Sequence, residues 1–140
     1  MKQTLLSLIL LSVCIRCTHD RILLPQTGVE FIAPLEKPVR LNKNGDAVTL
    51  TIKKLGGIAR CPCNSICVLG EFLTAKYTLS YRGITSLEKE QAIRYESAIG
   101  VAPMDSVVEL SGRTFIVRFK YATPAGCSAP TGVATLIREN

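Results

Sequence analysis

The sequence predicts an all-β domain, an antiparallel β-sandwich or partly open barrel with a disulfide-braced loop. Three observations carry that prediction. Apolar and polar residues alternate with period two over three long stretches, 47–55, 72–81 and 114–121. Turn-forming residues separate these stretches from several shorter apolar runs. Three of the six cysteines, Cys61, Cys63 and Cys67, fall between the first two stretches, and Cys127 follows the third. Period-two alternation gives each strand one dry and one wet face, which suits antiparallel sheets better than buried parallel ones.

The elements follow in order. Residues 18–36 contain Pro25, Gly28 and Pro34 and lack sustained periodicity, so they read as a linker with one short strand at Val29–Ile32. Val39–Leu41 is a short strand, and the Asn-Gly within Asn42-Lys43-Asn44-Gly45-Asp46 is a hairpin signal. In Ala47–Leu55, Val48, Leu50 and Ile52 share one face. In Phe72–Tyr81, Leu73, Ala75, Tyr77, Leu79 and Tyr81 do so, and in Thr114–Tyr121 the set is Phe115, Val117, Phe119 and Tyr121. These alternating aromatics are expected to be core rather than the lining of a ligand groove. Ile93–Ile99 and Val107–Leu110 are weaker strand candidates, and Gly132–Arg138, rich in β-branched residues, closes the sheet. Asp105-Ser106 reads as a turn leading into a strand. Thr85–Ala92 predicts one or two helical turns, with Thr85 as N-cap and Glu88 three residues on.

The N-terminus has a different character. Met1-Lys2-Gln3 is a short basic start, Leu5–Val13 is apolar apart from Ser7 and Ser12, and the chain then turns polar. An apolar run of about nine residues fits a secretory signal, because a membrane span needs roughly 20. Residues 1–17 are therefore expected to be a signal peptide, 18–36 a linker and 37–140 the β domain. Leu11-Ser12-Val13-Cys14 resembles a lipobox, although Val13 is bulkier than the residue usual before the modified cysteine. Two alternatives follow: a diacylglyceryl anchor on Cys14 that ties the chain to a membrane, or an ordinary cleaved signal. Lipidation gives a reason for a cysteine at that spot and is favoured. Either way the chain is expected in the periplasm, at the outer membrane or at the cell surface.

The formal net charge is +6, and removing Lys2 and Arg16 with the leader leaves +4, from 15 basic and 11 acidic residues. Those basic residues are scattered and form no run of five to eight, so nucleic acid is not an expected partner. The single histidine, His19, lies in the linker. That excludes a Ser-His-Asp triad, a His-Glu-x-x-His zinc site and a Cys2His2 finger. No phosphate-binding glycine loop is present. Glu88 and Glu90 are two apart beside Lys89 and read as a solvated surface loop rather than a catalytic pair. No enzyme activity and no cofactor are expected.

The densest chemistry lies in Arg60-Cys61-Pro62-Cys63-Asn64-Ser65-Ile66-Cys67-Val68-Leu69-Gly70-Glu71, between two long strands. In an oxidising compartment, Cys61, Cys63, Cys67 and Cys127 read as two disulfides. A Cys61–Cys63 ring is too small to be unstrained. Two pairings stay open: Cys61–Cys67 with Cys63–Cys127, and Cys63–Cys67 with Cys61–Cys127. The rival is a thiolate site for zinc or copper(I) built on Cys61, Cys63 and Cys67, which the oxidising compartment disfavours. Arg60 is expected to pair with a nearby acid such as Glu71, or to contact a partner.

The run Arg60-Cys61-Pro62, then Cys67-Val68 and Gly70, resembles a family of small exported proteins and lipoproteins of Bacteroidetes-type bacteria. Their hallmark is Asp-Ser-Arg-Cys-Pro, about four residues, and Cys-Val-Trp-Ala-Gly. Here Ile58-Ala59 stand in place of Asp-Ser, Leu69 in place of Trp, the loop is one residue shorter after Leu69, and Cys63 is extra. The motif covers about a dozen residues, and the layout around it covers roughly 38–121. The family has no established activity, so the resemblance implies a secreted β-sandwich-like domain. It also implies the Cys61–Cys67 pairing, which leaves Cys63–Cys127 as the second bridge.

The expected function is a non-enzymatic binding or structural module of the cell envelope, with a protein or small ligand as partner. Two alternatives come from other classes. A disulfide-held loop with Arg60 beside Cys61 could fill a protease cleft as an inhibitor. A thiolate cluster would instead handle metal.

Overall fold

The computed structural model describes residues 24–42, 47–59, 72–94, 104–123 and 129–140. They form nine strands: β1 (Phe31–Pro34), β2 (Pro38–Leu41), β3 (Val48–Ala59), β4 (Phe72–Tyr81), β5 (Ile84–Thr85), β6 (Lys89–Arg94), β7 (Asp105–Leu110), β8 (Arg113–Thr123) and β9 (Gly132–Glu139). The hydrogen-bonded order is β1-β9-β8-β6-β4-β3-β2, with β5 added to β4 and β7 added to β8. All the strand pairs are antiparallel except β6 with β8, which meet in parallel through Arg94 and Tyr121. The fold is thus an antiparallel β-sandwich that does not close into a barrel. One layer is β2-β3-β4-β6 and the other is β1-β9-β8-β7.

Alternation in the sequence sets which side of each strand is dry. Val48, Leu50 and Ile52 of β3 are buried, as are Leu73, Ala75, Tyr77, Leu79 and Tyr81 of β4 and Phe115, Val117 and Phe119 of β8. The rings interlock between layers. Tyr77 meets Phe119 edge to face at 5.0 Å, and Tyr81 meets Phe115 at 5.2 Å. Such pairs contribute roughly 0.5–1.5 kcal/mol each beyond their area burial.

Tyr121, expected on that same face, is only half-buried, and Ala122 is buried instead. The cause is a bulge: Phe119 pairs with Thr135 but Tyr121 pairs with Ala134, so one extra residue reverses the alternation of β8. The predicted helical turns at 85–92 do not form: Thr85 ends β5, 86–88 are irregular, and 89–92 open β6. Lys89–Arg94 runs as β6 along Tyr77–Phe72 of β4, and Gln91 and Ile93 face the core with period two. The capping signal at Thr85 fails because Ser86 is committed to Leu79. Its N–H donates to the Leu79 carbonyl at 2.8 Å, and its Oγ accepts from the Leu79 N–H at 3.0 Å.

Asp105-Ser106 is not a turn but the start of β7. The strand placed at 29–32 is found at Phe31–Pro34, where it pairs with Thr135–Gly132 of β9 and buries Ala33. Past it, Leu35 bridges to Ile52 of the other layer. Of the candidate strand 93–99, Ile93 and Arg94 belong to β6 and the rest lies outside the described residues.

Candidate binding end of the sandwich

The two ends of the sandwich differ in how the chain turns. At one end, β4 and β5 are joined by Arg82-Gly83, and β7 and β8 by Ser111-Gly112. All four of these residues have positive φ, between 49° and 79°. That is the signature of two-residue type I′ hairpins, whose twist matches that of the strands. Arg82 and Arg113 lie over the Tyr81 ring at 5.2 and 5.5 Å, which anchors this end to the core.

The opposite end follows from strand register. Phe72 of β4 pairs with Ala59 of β3 and with Arg94 of β6; Arg94 pairs with Tyr121 of β8, and Tyr121 with Ala134 of β9. One row across the sheet therefore holds the end of β3, the start of β4, the end of β6, and the β8–β9 junction. The connections 60–71, 95–104 and 124–131 all leave from this row. They are far longer than the two-residue turns opposite, and long connections on a rigid scaffold are where binding residues concentrate.

The residues singled out in the sequence divide accordingly. Arg60, Cys61, Cys63, Cys67, Glu71 and Cys127 belong to two of these connections and lie outside the described residues, as do Cys14 and His19. Among the described residues no group of three or more His, Cys, Asp or Glu could hold a metal ion. Glu90 lies within β6 and Glu88 just before it. Each is ion-paired on the exposed surface, Glu88 with Lys53 at 3.5 Å and Glu90 with Lys76 at 3.8 Å.

Sequence reasoning missed a set of polar residues along the seam between β6 and β7. No backbone ladder joins these strands among the described residues; side chains do. Lys89 Nζ donates to the Val107 carbonyl at 2.6 Å, Gln91 Nε2 to the Met104 carbonyl at 2.5 Å, and the Tyr77 hydroxyl to Ser106 Oγ at 2.8 Å. Burial pushes the Tyr77 hydroxyl above its ordinary pKa of 10.0, and the Ser106 hydrogen bond partly offsets the shift. Gln91 Oε1 is buried and has no partner among the described residues. A Gln on the core-facing parity of a strand was the one signal in the sequence, and reading 85–92 as a helix concealed it.

The outer face beside the seam is charged. Arg118 grips Asp105 through two hydrogen bonds, Nε to Oδ1 at 2.5 Å and Nη2 to Oδ2 at 2.7 Å, and Arg138 stands 3.8 Å from Oδ2. This hydrogen-bonded fork holds the Asp105 carboxyl below its ordinary value. Lys120 pairs with Glu30, and Arg113 with Glu139.

No family model matches the chain, and no curated protein or solved structure matches it.

Proposed function

We propose that the protein is an exported, non-enzymatic module of the cell envelope that binds its partner with the end bearing the 60–71, 95–104 and 124–131 connections. The observation that carries this reading is the asymmetry of the two ends: two type I′ turns and the six-residue β2–β3 connection at one, and the three longest connections, of eight to twelve residues, at the other. The signal-like 1–17 segment supports export, and Leu11-Ser12-Val13-Cys14 supports a lipid anchor at Cys14. Glu88, Glu90 and Asp105 are engaged in surface ion pairs, which suits a scaffold better than an acid–base pair. Photo-crosslinking in living cells tests the proposal. A crosslinker at position 69 or 128 should yield an adduct with an envelope component, and one at position 83 or 112 should not. Adducts of equal yield from both ends, or none from 69 and 128, overturn it. Fractionation tests the anchor: Cys14→Ser should move the protein from membrane to soluble fraction.

One observation favours a second reading. The 60–71 connection is carried by the long β3–β4 ribbon, and this suits a protease inhibitor that presents Arg60 and its neighbours. A trypsin titration at stoichiometric protein distinguishes the two readings.

A further inference from the structure

We propose that β7 is a self-association edge, at which a second copy of this chain adds antiparallel to β7 with Val107 opposite Val107.

The edges of β1, β2, β3 and β5 are blunted. β1 carries Pro34 and β2 carries Pro38, each in a strand of four residues, and β5 has two residues. Beyond Ile52 the free side of β3 bears Lys53 and Lys54 and is broken by two bulges. Short strands, prolines, lysines and bulges are the means by which edges resist pairing. By contrast, β7 has six residues, no proline and unbroken register with β8 from Asp105–Arg118 to Leu110–Arg113.

The hairpin fixes which backbone groups face outward. In a two-residue hairpin the flanking residues, here Leu110 and Arg113, form a hydrogen-bonded pair. Alternation then directs the N–H and C=O groups of Leu110, Val108 and Ser106 to β8, and those of Asp105, Val107 and Glu109 away from it. The Lys89 contact to the Val107 carbonyl agrees with this parity and is solvent-exposed. Lys89 is a flexible side chain and that contact is exposed, so its ammonium swings out into solvent as the second copy's Val107 N–H takes the carbonyl. With Val107 at the two-fold axis, the outward groups of residues 105, 107 and 109 meet those of 109, 107 and 105 in the second copy. This makes three hydrogen-bonded pairs.

Side-chain chemistry selects the same occupant and register. Val107 is 51% exposed, and at the axis it covers its own counterpart. Asp105 holds two cations, Arg118 and Arg138, which leaves that cluster one positive charge in excess. Glu109 has no ion pair among the described residues, and in this register it lies beside the Asp105 cluster of the second copy. The excess cation and the single carboxylate balance, twice by symmetry. Pairing along six residues buries less surface than the roughly 1,200 Å² of a stable interface, so the dimer is weak and salt-sensitive.

Sedimentation of the exported chain, with free thiols alkylated, should show reversible dimerisation between about 10 µM and about 1 mM, weakened by salt. Val107→Pro removes an outward N–H without touching the β7–β8 ladder, so it should give a monomer with unchanged near-ultraviolet dichroism. Glu109→Arg and Arg138→Glu should each weaken self-association roughly tenfold, and the two variants mixed should associate again. These charge variants keep the test decisive if the proline variant misfolds. A chain that stays monomeric at about 1 mM in low salt overturns the proposal, and so does a dimer indifferent to Val107→Pro and Glu109→Arg.

Discussion

The Tyr77 hydroxyl donates to Ser106 Oγ at 2.8 Å, across the seam that no backbone ladder closes among the described residues. Tyr77 of β4 is fully buried, and its ring meets Phe119 of the opposite layer. One residue thus combines core packing with the tie that holds the edge strand β7 against the other sheet.

Tyr77→Phe should keep the ring packing and lose the tie. Removing one neutral hydrogen bond costs about 1 kcal/mol. Ser106→Ala should cost a similar amount, and the double variant less than the sum, because both remove the same bond. A thermal-unfolding cycle measures this coupling. Spectrophotometric titration, compared with that of Tyr77→Phe, should find Tyr77 ionising above 10.0, and Ser106→Ala should raise it further by removing the offset. Because the folded value is raised, its stabilising contribution is complete below pH 10 and is lost as pH rises through the folded pKa. Tyr77 at its ordinary value in the folded protein contradicts this.

Much of the fold was legible because period two is a direct readout of a half-buried strand. Val48, Leu50 and Ile52, the five residues of β4, and Phe115, Val117 and Phe119 all lie on the face their spacing predicts. Tyr121 was misassigned because a bulge is set by the register of the partner strand, which a single strand's pattern does not encode. Segment 85–92 was misassigned because its local capping signal competes with a tertiary pairing to β4. The seam residues were hidden for the same reason: Gln91 and Ser106 gain their roles from strands distant in sequence.

That difference predicts unequal costs along β8. Phe119→Ala removes a fully buried ring and should cost about 3–5 kcal/mol. Tyr121→Ala, two residues on, removes a half-exposed ring and should cost a fraction of that. Denaturant unfolding of both variants measures the contrast. Similar losses would mean that Tyr121 is core and that the bulge is misplaced.

Asp105 makes a pH prediction of the opposite sign to Tyr77. Hydrogen bonding from Arg118 first, and then the nearby charges of Arg118 and Arg138, lower its pKa below 3.8 in the folded state. Its contribution to holding β7 on β8 is therefore present above pH 3.8 and is lost as pH falls through the lower folded value. A carboxyl NMR titration should place the Asp105 midpoint below 3.8, and Arg118→Gln should bring it back toward 3.8. An Asp105 midpoint at or above 3.8 in the wild-type chain would remove the Arg118 fork from the account.

The last prediction concerns the bridges. The 60–71 connection and the 124–131 connection both leave from the row of Phe72, Arg94 and Tyr121, so the ends that carry them are two strands apart. That placement suits a bridge from the first connection to Cys127 in either open pairing; the resemblance implies Cys63–Cys127, with Cys61–Cys67 closing a small ring inside the first connection. In the chain-entropy model a ring of six or seven residues contributes about 2 kcal/mol, and one of more than sixty about 4 kcal/mol. Cys127→Ala, with the remaining Cys63 thiol blocked, should therefore lower Tm more than Cys61→Ala with Cys67→Ala. The long ring would restrain the unfolded chain across β4 to β8, whereas the short ring would restrain only a connection already anchored by β3 and β4. Peptide mapping that joins Cys61 to Cys127 would refute this connectivity. A larger loss from the short-ring variant would show that the geometry of the connection outweighs chain entropy.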